Sequence, residues 1–215
     1  MYKRINVLLI SLLATSLYSA EGSEDSKESV FDEVVVTAQR VEQSLQDVPI
    51  SVSAFSAAQI DEQQIETGGD LQVVVPSLTF VKDGARGGQF GIRGISNGAT
   101  SNTADTGVEV HMNSLPMGST TMQDGEFFDM QRIEVLRGPQ GTLFGKNSVA
   151  GAINLITNKA DSTEFTSDIG LDLHQYNGQR VKGHVNLPLS DSLAVRVAYL
   201  GYDRDGYVNN IYSQG

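Results

Sequence analysis

The stretch GTLFGKNS (Gly141–Ser148) has the glycine-then-lysine look of a phosphate-binding loop. The G-x-x-x-x-G-K-[ST] pattern ending at Lys146 needs a glycine at Gln140 and a hydroxyl residue at Asn147, so both positions fail. Gly84, Gly87, Gly88 and Gly91 do not form the G-x-G-x-x-G turn of a dinucleotide site. His111, His174 and His184 share no metal-ligand spacing, no G-x-S-x-G elbow presents a serine, and there is no cysteine for thiol catalysis or disulfides. No metal, cofactor or catalytic role is therefore assigned. What remains is a pair of arginines, Arg93 in GIRGIS and Arg137 in EVLRGPQG, each placed before a glycine at the end of a strand-like run. The sequence leaves two readings open: surface arginines flanking turns, or interface arginines whose carboxylate partners lie elsewhere.

The elements around them follow from composition and period. MYKRINVLLISLLATSLYSA has a charged start and a short apolar run, the layout of a secretory signal peptide; residues 1–20 are read as that leader, cut between about Leu17 and Ser23. The formal charge of −11 argues against a nucleic-acid partner, which needs a basic face. No later stretch has the apolar length of a membrane helix, so the mature chain can enter a membrane only through strands. Residues 21–46 form an acidic, serine-rich arm that cannot bury enough apolar surface to offset its chain entropy. Within it DEVVVTAQR (Asp32–Arg40) is a lone β-branched run.

Residues 47–160 read as one α+β domain. A strand over VPISVSAF is followed by a helix with Ser56 as N-cap, Gln59 as capping-box partner and Gly68-Gly69 as stop, then by a short helix capped by Asp70. Strands are expected in LTFVKD, QFGIRGIS, VEVHMN, MQRIEVLR and AINLIT, with an exposed polar loop at Asn97–Gly107. From 161 onward the period is two. Ile169, Leu171 and Leu173, then Val181, Val185 and Leu187, then Val195, Val197 and Tyr199 share faces opposite Arg180, Lys182, His184 and Asn186. Asn177-Gly178 marks a hairpin. Three antiparallel strands of membrane-crossing length cannot close in lipid, so the chain reads as the N-terminal part of a longer barrel protein, ending in the polar stretch NNIYSQG.

IEVLRGPQGTLFGKNSVAGAINLIT, with IRGIS and DEVVVTAQR upstream, resembles the N-terminal part of a TonB-dependent outer-membrane receptor. The resemblance implies an α+β plug, a small mixed sheet with short helices, inside a transmembrane antiparallel barrel of about 22 strands, of which the first three or so lie in 161–215. It implies energised uptake of a scarce nutrient such as a ferric siderophore across the cell outer membrane, with TonB, the extracellular ligand and outer-membrane lipid as partners. Glu33, Val34, Val35, Val36 and Thr37 would be the TonB-binding strand, and Arg93 and Arg137 would pair with barrel glutamates. Arg86, Gln89, Asn97, Asn102, Met122 and Gln123 would face the substrate. His111 and Asn113 stand where the family more often shows an aromatic residue and an aspartate. A passive porin or adhesin with a folded N-terminal domain, or a periplasmic enzyme, are the competing classes. The residues also allow Glu33–Thr37 to be simply the first strand of the plug.

Overall fold

The computed structural model describes residues 35–37, 43–83, 87–96 and 106–206. The expected leader, Glu33, Val34, Arg86, Asn97 and Asn102 lie outside them. A strand of two residues, β1 (Val35–Val36), pairs antiparallel with β2 (Gln43–Ser44), and a 3-10 turn at Leu45–Asp47 leads to β3 (Ser51–Ser56). The packed unit thus reaches further toward the N-terminus than the expected start at Asp47. Val36 is the reason: it is fully buried in a small apolar cluster with Leu136, Phe144 and Ala152.

Helix α1 (Ala57–Glu62) opens on the expected capping box, with the Gln59 N–H donating to Ser56 Oγ and the Ser56 N–H donating to Gln59 Oε1. Gly68 and Gly69 do not stop it. It ends at Gln63, and the two glycines open α2 (Gly68–Val74). The N-cap there is Thr67 rather than Asp70, which sits three residues on and accepts from the Thr67 N–H at 2.8 Å. Glycine is required at 68 for space, since a Cβ would meet the Phe80 and Phe90 rings at 2.7 Å.

Next come β4 (Leu78–Asp83), β5 (Gly87–Ile92) and β6 (Ile95–Ser96), an antiparallel three-stranded sheet. Arg93 and Gly94 form the β5–β6 turn with φ of 54° and 77°, the double left-handed geometry of a two-residue hairpin. The remaining elements of this region are β7 (Val108–Met112), β8 (Leu115–Pro116), α3 (Thr120–Gln123), β9 (Met130–Arg137), α4 (Gly141–Phe144) and β10 (Gly151–Thr157). The main sheet has the order β3-β9-β10-β7-β8, with β7 and β10 parallel and the other pairs antiparallel.

The near-continuous apolar runs of β9 and β10 are explained by cover on both faces. Ile133, Val135, Ile153 and Leu155 pack with Ile60, Leu71, Phe90 and Ile92 in the main core. Leu136 and Ala152 point the other way, toward β1 and α4. Register places Glu134 and His111 beside Asn154 on its two flanking strands, and all three side chains are buried. A transverse polar row therefore crosses the middle of the sheet.

After a linker, β11 (Thr166–His174), β12 (Gly178–Ser190) and β13 (Leu193–Asp203) form an antiparallel meander in that order. The apolar set faces outward, with Ile169 82% and Leu173 75% exposed. The β11–β12 turn sits one residue from its expected place. Tyr176 and Asn177 take the left-handed conformations at φ 60° and 53°, and Gly178 is already the first residue of β12. A Cβ there would approach His174 Cβ to 2.9 Å.

Ile153 is fully buried at the centre of the main core. Ile153→Ala is expected to cost about 2–5 kcal/mol. Hydrogen exchange of the β9 and β10 amides would show it as faster exchange from both strands.

Candidate functional site

Two regions of the described structure gather buried or half-buried polar groups. The first is the contact with the three-stranded wall. Alternation along β12 and β13 turns Arg180 and Arg196 toward the plug, where they meet acids presented by turns. Glu66 lies between α1 and α2, and it is fixed by its carbonyl, which accepts from the Phe127 N–H at 2.7 Å. Glu126 and Asp129 lie between α3 and β9. The Arg180 guanidinium bridges Glu66 through Nη1 and Glu126 through Nη2, the latter at 3.0 Å.

Arg196 grips Asp129 with two bonds, Nε to Oδ2 at 2.9 Å and Nη2 to Oδ1 at 2.6 Å, the fork geometry that suits a carboxylate. Asp129 is aimed by a left-handed backbone at φ 52° and steadied by Asn158, whose side chain donates to Oδ1 at 2.9 Å. Burial by itself would raise the Asp129 carboxyl. The hydrogen bonds from Arg196 and Asn158, with the charge of Arg196, outweigh burial and hold it below the usual value of 3.8. Asn186 clamps the linker, donating to the carbonyls of Asp161 and Glu164 and accepting from the Asp161 N–H.

This contact places arginines on the three-stranded sheet and carboxylates on the turns packed against it, a pairing separate from the one expected for Arg93 and Arg137. The signal was present in the cationic face Arg180, Lys182, His184, but nothing local named its partners. The expected arginines sit elsewhere. Arg93 is exposed on its hairpin, and Arg137 is half-buried with Nε lacking a hydrogen-bond partner. Their strand ends converge on Gly151, which pairs with Arg137 and leaves no room for a Cβ against Ile92 Cδ1. Of the expected substrate-facing residues in the described set, Gln89 is half-buried and Met122 is 57% exposed. Gln123 does not face outward. Its side chain is buried and its amide donates to the Met117 carbonyl, because α3 packs closely on Gly87, whose Cβ would lie 2.4 Å from the Thr120 carbonyl oxygen.

The second region is the seat of β1. Beyond Val36, the Thr37 N–H donates to Glu134 Oε1 at 2.7 Å and the Thr37 hydroxyl donates to the same oxygen at 3.0 Å. Glu134 has no exposed surface, and it also accepts from Arg132 Nε at 2.8 Å and from Asn154 Nδ2 at 3.2 Å. Arg132 Nη2 and Asn154 Nδ2 in turn donate to Thr37 Oγ1. The sequence marked Val35–Thr37 but not Glu134, whose side chain lies 97 positions along the chain from Thr37.

A family model described as the TonB-dependent receptor plug domain matches residues 44–152. The vitamin B12 transporter of Vibrio vulnificus is 34% identical over 143 residues, covering 62% of this chain and 22% of that protein. The iron-regulated outer membrane virulence protein of Vibrio cholerae is 29% identical over 206 residues, covering 90% of this chain and 31% of that one. Among solved structures, the ferric yersiniabactin uptake receptor FyuA of Yersinia pestis superposes with a TM-score of 0.61 at 26% identity over 70% of this chain and 24% of its own. The chain thus spans less than a third of the length of these proteins.

A carboxylate whose folded pKa is depressed adds stability that is present above its unfolded pKa and is lost as pH falls through the folded one. The Asp129–Arg196 contact should therefore weaken as pH drops below about 4, toward the lowered value. The urea midpoint for separating the α+β domain from the three-stranded sheet, followed from about pH 6 down to about pH 2, should shift to lower urea. Asp129→Asn should lower the midpoint at neutral pH and flatten that slope.

Proposed function

The chain belongs to the TonB-dependent receptor plug domain family, and we propose on that premise that it forms the plug and first wall strands of an outer-membrane receptor for energised uptake of a ferric siderophore. The plug occupies the barrel lumen, the acidic arm lies in the periplasm, and ligand binds at the extracellular side near Gln89 and Met122. Glu33–Thr37 is the strand offered to TonB. Arg93 and Arg137 face glutamates of the barrel.

The observation that carries this reading is the seating of Val35–Thr37. A strand only two pairs long is held by one buried valine and one threonine, so it can leave without dismantling the main core. A short β-branched segment of this kind suits strand addition to the exposed sheet edge of another protein, where main-chain bonds give affinity. The substrate class is supported by a relative named as iron-regulated and by a structural neighbour titled a ferric yersiniabactin uptake receptor.

Deleting Asp32–Arg40 in the full-length receptor should abolish uptake while ligand binding at the cell surface persists, and Val35→Pro should act in the same direction by removing a ladder donor. Radiolabelled ferric siderophores and cobalamin, supplied singly to cells that depend on this receptor, should show accumulation of a ferric siderophore. Uptake that survives the deletion would point to passive permeation instead.

A further inference from the structure

His111 and Asn154 are register partners on the parallel strands β7 and β10, and each is buried with one side-chain atom left without a partner, His111 Nε2 and Asn154 Oδ1. Their other atoms settle what these two can do. His111 Nδ1 lies 3.3 Å from the Ser114 carbonyl oxygen, which only accepts, so Nδ1 carries the proton and Nε2 of the neutral ring offers a lone pair. Asn154 Nδ2 donates to Glu134 Oε2, so the atom left over is the amide oxygen. Two buried acceptors thus stand on adjacent strands, and neither can satisfy the other. Both line one cavity of about 630 Å³, together with buried Ile156 and Phe144, half-buried Arg132 and exposed Lys159. Among the described residues its lining holds no carboxylate. The inner end is preformed. Asn113 binds Thr157 twice, Nδ2 to Oγ1 at 2.9 Å and the Thr157 N–H to Oδ1 at 3.0 Å, which fixes the turn that carries Ser114. The His111 ring is held edge-on to Phe144 at 5.1 Å.

We propose that this cavity binds a small primary amide that also carries a carboxylate, a molecule with the size and charge pattern of glutamine. A pair of acceptors calls for a group with two donor hydrogens, which water, an ammonium or a primary amide supplies. An ammonium would be buried near two cationic side chains, Arg132 and Lys159, with no carboxylate in the lining to offset its desolvation. Water can meet the acceptors, but its share of liquid volume is on the order of 30 Å³, and the cavity is in the size range of sites for organic ligands. The neutral amide nitrogen therefore takes the inner end, with one hydrogen to His111 Nε2 and one to Asn154 Oδ1. Its carboxylate turns outward to Lys159, since Arg132 is already engaged by Glu134. The assignment does not depend on which ligand is transported.

Saturation-transfer NMR on the intact purified protein, with L-glutamine as the probe, reads the site directly. Glutamine should show transfer and a saturable dissociation constant. L-Glutamate has the same shape but offers a third acceptor group in place of the two donors, and it should bind at least about tenfold more weakly. His111→Phe keeps the edge-on aromatic contact with Phe144 and removes one acceptor, so it should weaken glutamine about three- to tenfold, the factor for one hydrogen bond. Lys159→Ala, at an exposed position that folding does not need, should also weaken glutamine while leaving the binding of propionamide, which has the amide and no carboxylate, unchanged.

No transfer to glutamine overturns the proposal, since the two acceptors are then met by water alone. Equal binding of glutamine and glutamate overturns it as well, because the inner end would not be selecting a donor group. Glutamine binding that either substitution leaves unchanged places the ligand somewhere else on the protein and overturns this site.

Discussion

Arginines that a barrel wall turns inward must find counter-charges on whatever fills the lumen, and the plug is arranged around that requirement. Arg180 and Arg196 reach acids that come from turns, at Glu66, Glu126 and Asp129, and not from the strands or helices that build the dry core. The two demands are thereby separated. Core packing sets the shape of the plug, and the turns carry the charge that fits the wall. Ion pairs of this kind, partly open to solvent, add little net stability because desolvation offsets attraction. Their contribution is orientation: the forked Arg196–Asp129 pair accepts one rotation of the plug against β13.

The same separation explains why the main sheet has two unlike faces. One face of β9 and β10 is apolar and sealed by α1, α2 and β5. The other is apolar only at its ends and polar across its middle, at His111, Asn154 and Glu134. A buried polar row is stable only when its members are bonded. Glu134 is satisfied by Arg132, Asn154 and Thr37, so the N-terminal strand completes the row. Asn154 Oδ1 and His111 Nε2 lie beside it with no protein hydrogen-bond partner among the described residues.

Much of this architecture is legible from local pattern. The strands of the plug, the Ser56–Gln59 capping box and the wall meander are set by period and cap chemistry within a few residues, so sequence reveals them. The features that sequence misplaces have distant causes. Gly68 and Gly69 look like a helix stop, but Gly68 exists to admit Phe80 and Phe90. Asp47 looks like the first ordered residue because the arm before it is acidic, yet Val36 is held by Leu136, Phe144 and Ala152. The cationic face of β12 could be read from alternation, whereas its partners Glu66 and Glu126 are unremarkable acids in turns. The hairpin at Asn177-Gly178 is right in kind and off by one, because Gly178 is needed for its close approach to His174.

The terms that hold the docked strand nearly cancel. Ordering the three residues Val35–Thr37 costs about 1–2 kcal/mol each, or about 3–6 kcal/mol in all. Burying Val36 returns about 1.5–3 kcal/mol. The two bonds from Thr37 to a charged carboxylate return about 1.5–3 kcal/mol each, before allowance for the water they displace. The sum lies within a few kcal/mol of zero, in contrast to the main core, whose buried residues come from α1, α2, β4, β5, β7, β9 and β10. A strand held that weakly is docked by a single anchor on each side of its backbone. Loss of either the apolar seat or the carboxylate tips the balance toward the undocked strand.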